Sequence, residues 1–312
     1  MARTVDLILN GSRFVAADVG AANGLPLEWQ PLLDSACLYC VEPDPDAARK
    51  LADMYGTKPG IPLRVLPVAL SGTGGSRCLH RTNVPTGSSL LPFDTEMARD
   101  YCDPSYFHPF ITVEVETRRL GDVLDEVEES QLDLIKLDTQ GTELEILLGL
   151  GQERLGRLLG IELEIGLPGA YRGQAQFHEV QATLVDAGFE LFDLRLARAD
   201  LPRRGDDRFY RSQIFNVGPG DRSIASRLWE TDALFIRHPA ALLADGDGAA
   251  LRRLMVVYCT YRFFPEAYHL VSVAQSHGIL DDEEAARTRS AIVSWHGHTA
   301  RAIAQGALPV TW

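Results

Sequence analysis

The sequence predicts an α/β fold: a doubly wound, mostly parallel sheet with helices on both faces, followed by an all-helical C-terminal extension. Three observations carry this. From Phe14 to Leu70 apolar runs alternate with helix-type segments in the order β-α-β-α-β, the pattern of a doubly wound sheet. The first run, Phe14 to Val19, is too continuously apolar for a half-exposed strand and reads as one covered on both faces. Beyond Arg237 the apolar residues fall at helical spacing.

The bulk properties agree. A chain of 312 residues holds one large α/β domain with additions or two modest ones, and the change of character divides it into residues 1–237 and 238–312. With 46% hydrophobic and 23% charged residues the balance is globular rather than disordered. A net charge of −13 argues against a nucleic-acid binder, and the cluster Arg195, Arg198, Arg203, Arg204, Arg208 and Arg211 reads as a solvated loop. No apolar run reaches the roughly 18 residues a membrane span needs. Met1 to Arg13 lacks a signal-peptide core, and 5 cysteines, an odd number, make no disulfide framework; a reducing cytoplasm is expected.

In chain order, Pro26 opens a helix to about Ala36, and Cys37 to Val41 is the second strand. Asp44 as N-cap and Pro45 at the first helical position begin the next helix, which Gly56 closes. Arg64 to Leu70 is the third strand. Ser71 to Phe110, rich in Gly, Ser, Thr and Pro, is too long for an ordinary connection and is expected to be functional. Ile111 to Val115 alternates and is expected to pair near Arg77 to Arg81. A helix from Leu120 to Val127 leads to the buried strand Asp133 to Asp138. A helix from Thr142 to Leu150 and a strand from Ile161 to Ile165 follow, then a helix from Phe177 to Ala187 and a strand near Phe189 to Leu194. Either Gln213 to Val217 or Ala233 to Ile236 ends the sheet. In the extension, Leu251, Leu254, Met255 and Tyr258 mark one helix, Pro265 starts another that Gly278 ends, and Asp281 opens a third. His296 and His298 read as a helix end.

Asp18-x-Gly20-x-Ala22-x-Gly24 closes the first strand, and Glu42 follows about 20 positions on, at the end of the second. The glycines let the backbone approach a ligand. A carboxylate beside the turn disfavours a diphosphate and suits a ligand with amines or cationic sulfur, such as S-adenosylmethionine, with Glu42 on its ribose hydroxyls. Asp138 ends the fourth strand, where open α/β sheets bind ligands; its alternative is to cap the helix that follows. Glu162 and Glu164 share one face of the next strand. With Asp138 they read as a cation site or as a hydrogen-bonding network. Cys37 and Cys40 have metal-like spacing without a second pair and read as structural.

These segments resemble FkbM-type methyltransferases. The resemblance rests on Asp18-Val-Gly-Ala-Ala-Asn-Gly24, Val41-Glu-Pro-Asp-Pro45, Leu66-Pro-Val-Ala-Leu-Ser71 and Gly87-Ser-Ser-Leu90. It continues through Asp133 to Leu147, Glu162-Leu-Glu164, Tyr171-Arg-Gly-Gln174 and Gly188-Phe-Glu-Leu191, covering about Phe14 to Arg237 in order. It implies the Rossmann-like class I methyltransferase fold, S-adenosylmethionine as cofactor, and O-methylation of a hydroxyl on a sugar, glycan or secondary metabolite. Asp18, Gly20, Ala22, Asn23 and Gly24 would then cradle the methionine part, Glu42 the ribose, and Pro43 and Asp44 the wall beside it. Ala69, Leu70 and Ser71 would lie by the adenine. Ser88, Ser89, Gln140, Glu162, Glu164 and Tyr171 would face the acceptor, with Asp138 or His178 as general base. Ala22 stands where a glycine is common in this turn, and Gln140 and Thr142 where many members have Glu and Ala. An NAD-dependent oxidoreductase is disfavoured by the missing Gly-x-Gly-x-x-Gly. A non-catalytic scaffold with a partner on the helical tail is the remaining alternative.

Overall fold

The computed structural model describes residues 2–55, 63–95, 109–199 and 227–309. Their main sheet has seven strands in the order β3-β2-β1-β7-β8-β10-β9. These are β1 Val15–Val19, β2 Cys37–Val41, β3 Leu63–Leu66, β7 Leu134–Leu137, β8 Gly160–Gly166, β9 Phe189–Ala199 and β10 Arg227–Arg237. β1, β2, β3, β7 and β8 pair in parallel, whereas β10 runs antiparallel between β8 and β9. The edge strand is therefore Phe189–Ala199, not Ala233 to Ile236, and Gln213 to Val217 lies outside the described residues. Residues 233–236 are all buried because β8 and β9 flank them and a packed layer covers each face, which a sequence reading cannot tell from an apolar edge.

Alternation within the strands sends side chains to two layers. Val15, Ala17, Ile135, Leu137, Ile161 and Leu163 meet helices α3 Leu120–Glu126, α4 Glu143–Leu148, α5 Gln152–Arg157 and α6 Phe177–Asp186. Ala16, Leu38, Leu134, Leu234 and Ile236 meet the opposite layer. That layer contains α1 Ala2–Leu9 and α2 Pro45–Tyr55, then α8 Gly248–Thr260, α9 Phe264–Ser276 and α10 Asp282–Ala304, which follow the short α7 Ala240–Asp245. The residues beyond 237 share this core with Val5, Ile8 and Trp29 from the start of the chain. Among the described residues no helix is long and apolar enough to cross a membrane.

Several elements differ from the sequence expectation for local reasons. Pro26 opens only a 3-10 helix, Leu27–Leu32, because Pro31 within it has no amide hydrogen to continue an α-helix. The third strand stops at Leu66, and Pro67 releases the chain from the main sheet. Ala69–Leu70 (β4) joins a separate three-stranded sheet with β5 Gly75–Thr82 and β6 Pro109–Arg118. There Arg77 pairs with Val115 and Arg81 with Ile111, as the alternation implied. His296 and His298 lie inside α10, since Gly297 weakens a helix but Trp295 and Thr299, both buried, hold it in the core. Asp281 caps that helix with a reciprocal bond set with Glu284, and Asp44 Oδ1 accepts from the amides of Asp46 and Ala47 at the start of α2.

Candidate functional site

Strand order reverses at β1, between β2 and β7, which leaves a crevice at their carboxyl ends. The register there aligns charged residues. Asp18 of β1 stands level with Lys136 of β7, and Lys136 with Glu162 of β8. The three form a row across adjacent strands on the face toward α8. Asp138 and Glu164 repeat the pattern two residues on, at the same face.

A cavity of about 290 Å³ opens on this row. Asp18, Gly20, Asn23 and Gly24 of the first turn line one side, and Lys136, Asp138 and Glu162 another. Gly20 and Gly24 have φ of +87° and +88°, so both positions need glycine. Ala22 does not take a positive φ, so alanine costs nothing there. The amides of Gly20 and Ala21 both donate to Val41 O, at 2.9 and 3.3 Å, which folds the turn onto β2.

The electrostatics are unusual. Asp18 is 2% exposed and its Oδ1 has no hydrogen-bond partner. Burial pushes its carboxyl up to about 7; Lys136 opposes this, while Asp138 and Glu42 add to it. Burial likewise pushes Glu162 up to about 7 against the pull of Lys136, with the Tyr261 hydroxyl donating to its Oε2 at 2.8 Å. Burial disfavours the Lys136 ammonium, yet Asp138, Asp18 and Glu162 outweigh it and hold the group charged. Its Nζ lies 3.3 Å from Asp138 Oδ2.

Beside the row sits a second polar cluster. Gln140 Nε2 donates to Asp138 Oδ1 at 3.0 Å and to Glu164 Oε2 at 2.6 Å. The Tyr171 hydroxyl lies 2.7 Å from Gln140 Oε1 and 3.0 Å from Gly87 O. Ser89 Oγ donates to Gln140 O at 2.6 Å. Gln140 is held at φ +61°, a conformation that costs a residue with a side chain about 1 kcal/mol or more. Burial and the adjacent Asp138 raise the Glu164 carboxyl far above the carboxylate range, so it keeps its proton and bonds to Asp138. For Asp138 burial acts upward, but Lys136, Glu164 and Gln140 together hold it ionised, below its ordinary value. A water-sized cavity of about 30 Å³ lies here, among Phe93, Gln140, Glu164, Tyr171 and Trp229.

Asp138 is not a helix cap. The cap position of α4 is Thr142, and Glu143 Oε1 accepts from the amides of Thr139 and Gly141 at 2.8 and 3.0 Å. The acids Asp138 and Glu164 join a hydrogen-bonding network with Gln140, and Glu162 joins the charged row. Cys37 and Cys40, three apart on β2, fall on opposite faces.

The other expected residues are placed as follows. Glu42 is buried outside the cavity wall; its Oε1 accepts from Asp44 N at 2.8 Å, and burial raises its carboxyl. Pro43 and Asp44 are exposed beside it. Ala69 and Leu70 lie in the small sheet, and the buried Ser71 shares a hydrogen bond with Thr117 at 2.7 Å. Ser88 Oγ accepts from Thr82 N at 3.3 Å, away from the Asp138 cluster that Ser89 joins. His178 is exposed on the first turn of α6 and lines neither cavity. The helix that carries it packs by Val180 and Leu184, which turns position 178 to solvent.

Sequence reasoning missed Lys136, Glu143, Tyr261 and Pro309. Lys136 was legible, two residues before Asp138 on one strand face. Tyr261 and Pro309 carry no local signal, since they reach the site only through the packing of the extension.

The chain is similar to known methyltransferases. The 2-O-methyltransferase NoeI of Sinorhizobium fredii is 30% identical over 164 residues, 51% of this chain and 66% of that protein. The methyltransferase sdnD of Sordaria araneosa is 28% identical over 147 residues, 41% of this chain and 54% of that protein. The chain thus spans between about half and two thirds of these relatives. Among solved structures, precorrin-6y C5,15-methyltransferase of Geobacter metallireducens matches at 10% identity and a TM-score of 0.35, covering 76% of this chain and 87% of that one. The model of the methyltransferase FkbM domain matches residues 18–191, and the chain belongs to that family.

Proposed function

We propose that this protein is an S-adenosylmethionine-dependent O-methyltransferase acting on a hydroxyl of a small molecule, a sugar, glycan or secondary metabolite. The observation that carries the cofactor reading is the unpartnered Asp18 Oδ1 in the wall of the 290 Å³ cavity. A buried acceptor without a partner is costly, and a ligand ammonium satisfies it. The surplus of carboxyls around one lysine favours a cationic ligand over a dinucleotide diphosphate. The residues therefore fit S-adenosylmethionine, which when bound supplies an electrophilic methyl group on sulfur.

In this reading Asp18 holds the amino group, and the open backbone of Gly20, Asn23 and Gly24 accommodates the rest of the methionine part. Glu42 serves the ribose hydroxyls, with Pro43 and Asp44 beside it, and Ala69 to Ser71 the adenine. Asp138 faces the acceptor. Lys136 and Gln140 hold it ionised and oriented, so it can take the proton that the acceptor hydroxyl loses as its oxygen reacts. Gln140, Ser89 and Tyr171 fix that geometry, and Glu164 keeps its proton. The named 2-O-methylation activity of NoeI supports oxygen as the accepting atom.

Isothermal titration with S-adenosylmethionine and S-adenosylhomocysteine tests this. Binding of both in about the micromolar range is expected, weakened at least tenfold in Glu42→Ala. Wild-type protein that binds neither refutes the cofactor reading, and Glu42→Ala that binds normally refutes the ribose role.

A further inference from the structure

The family match ends at residue 191, yet Arg195 and Pro309 also line the large cavity. The turn that joins α8 to α9 touches two residues of its lining, Glu162 and Pro309. Tyr261, 1% exposed, donates to Glu162 Oε2 at 2.8 Å and accepts from Trp29 Nε1 at 3.3 Å. Trp29 belongs to the 3-10 helix after the glycine turn, and its neighbours Leu27 and Glu28 line the same cavity. The next residue, Arg262, donates from Nη1 to Pro309 O at 2.8 Å, and its Nη2 lies 4.0 Å from Glu28 Oε1. Two consecutive residues of the extension thus hold a buried carboxyl and an exposed wall of one cavity.

The backbone adds a separate argument. Arg262 has a φ of +69°, a turn conformation that glycine adopts freely and that costs other residues about 1 kcal/mol or more. An arginine there loses stability locally and gains contacts with Pro309 and Glu28. For Tyr261, the hydroxyl donates to a carboxyl that β7 faces with Lys136, β9 with Arg195 and β10 with Asp232. A donated hydrogen bond favours the ionised form.

We propose that Tyr261 and Arg262 are positioning residues of the cofactor cavity: Tyr261 sets the orientation and charge of Glu162, and Arg262 holds the chain at Pro309 as an outer wall. The helical extension then completes the cofactor site. This rests on the S-adenosylmethionine reading.

The test is titration of S-adenosylhomocysteine into the full chain at several pH values from about 6 to 9, with stopped-flow dissociation. Tyr261→Phe removes only the hydroxyl. It should weaken binding about 3- to 10-fold near neutrality and move the pH at which affinity rises upward by about half a unit. Arg262→Gly suits the backbone, so its urea midpoint should not fall; its binding should weaken about 3- to 10-fold through faster dissociation, with no change in pH dependence. Arg289→Ala, which breaks the Arg289–Gln275 contact within the same helical layer, should leave binding and its pH profile unchanged. Wild-type binding with both turn variants indistinguishable from it overturns this inference and leaves the cofactor reading intact. An effect in one variant alone overturns the other residue's role. No binding by the wild type overturns both readings.

Discussion

Gly20 and Asp138 press backbone to backbone: a methyl group built on Gly20 would lie 2.0 Å from the Asp138 carbonyl oxygen. The Asp138 amide meanwhile donates to Val19 O at 3.0 Å. The ends of β1 and β7 therefore fix each other, and the carboxyls of Asp18 and Asp138 are brought to one cavity by main-chain packing.

Gly20→Ala must both move Asp138 and occupy a positive φ. It should destabilise the fold by about 3 kcal/mol or more, read as a lower urea midpoint, and abolish S-adenosylhomocysteine binding. An unchanged midpoint would contradict this packing.

Stability and cofactor affinity should depend on pH in opposite directions. Asp18, Glu143 and Glu162 are buried, and burial pushes each carboxyl up to about 7. In the unfolded chain they ionise near 4. Between these values the folded state binds more protons, so their contribution is full below about pH 4 and is lost as pH rises through about 7. The melting temperature should be lower near pH 8 than near pH 5.5, and Asp18→Asn should reduce the difference. In the proposed cofactor site the ligand ammonium instead needs ionised Asp18, so S-adenosylhomocysteine should bind more tightly as pH rises through about 7. Melting temperatures that rise over this range would contradict the burial argument.

The helical layer is tied to the sheet by a buried ion pair. Arg253 Nε of α8 lies 2.9 Å from Asp133 Oδ1, and Asp133 Oδ2 accepts from Val15 N at 2.8 Å. Arg253→Ala leaves a carboxyl that is 1% exposed without its cation. The expected loss is about 3 kcal/mol in urea unfolding, and a loss below about 1 kcal/mol would show that water replaces the arginine.

Gln140 should be expensive to replace despite its strained backbone. Gln140→Gly relieves about 1 kcal/mol of conformational cost but removes the partner shared by Asp138, Glu164 and Tyr171. A net loss of about 1–2 kcal/mol is expected by urea unfolding, with binding of S-adenosylhomocysteine weakened less than in Asp18→Asn. A more stable variant would show that the network contributes nothing to the fold.

The chain by itself determined the layered α/β architecture, because its signals are local. Continuous apolar runs require two covered faces. Asp44-Pro45 and Asp281 with Glu284 satisfy helix ends within a few residues, and the alternation of Ile111 to Val115 chose its pairing with β5. The turn from Asp18 to Gly24 was legible for the same reason, since positive φ at Gly20 and Gly24 is a property of the glycines themselves. Tertiary structure decided what lies far apart in sequence. Whether residues 233–236 formed an edge depended on β9 pairing outside them. The row Asp18–Lys136–Glu162 exists only through the register of three strands, and register sets which charges meet at the wall of the cavity. Tertiary packing likewise turns His178 to solvent and sets Tyr261 against Glu162 and Arg262 against Pro309, two residues of the cavity wall.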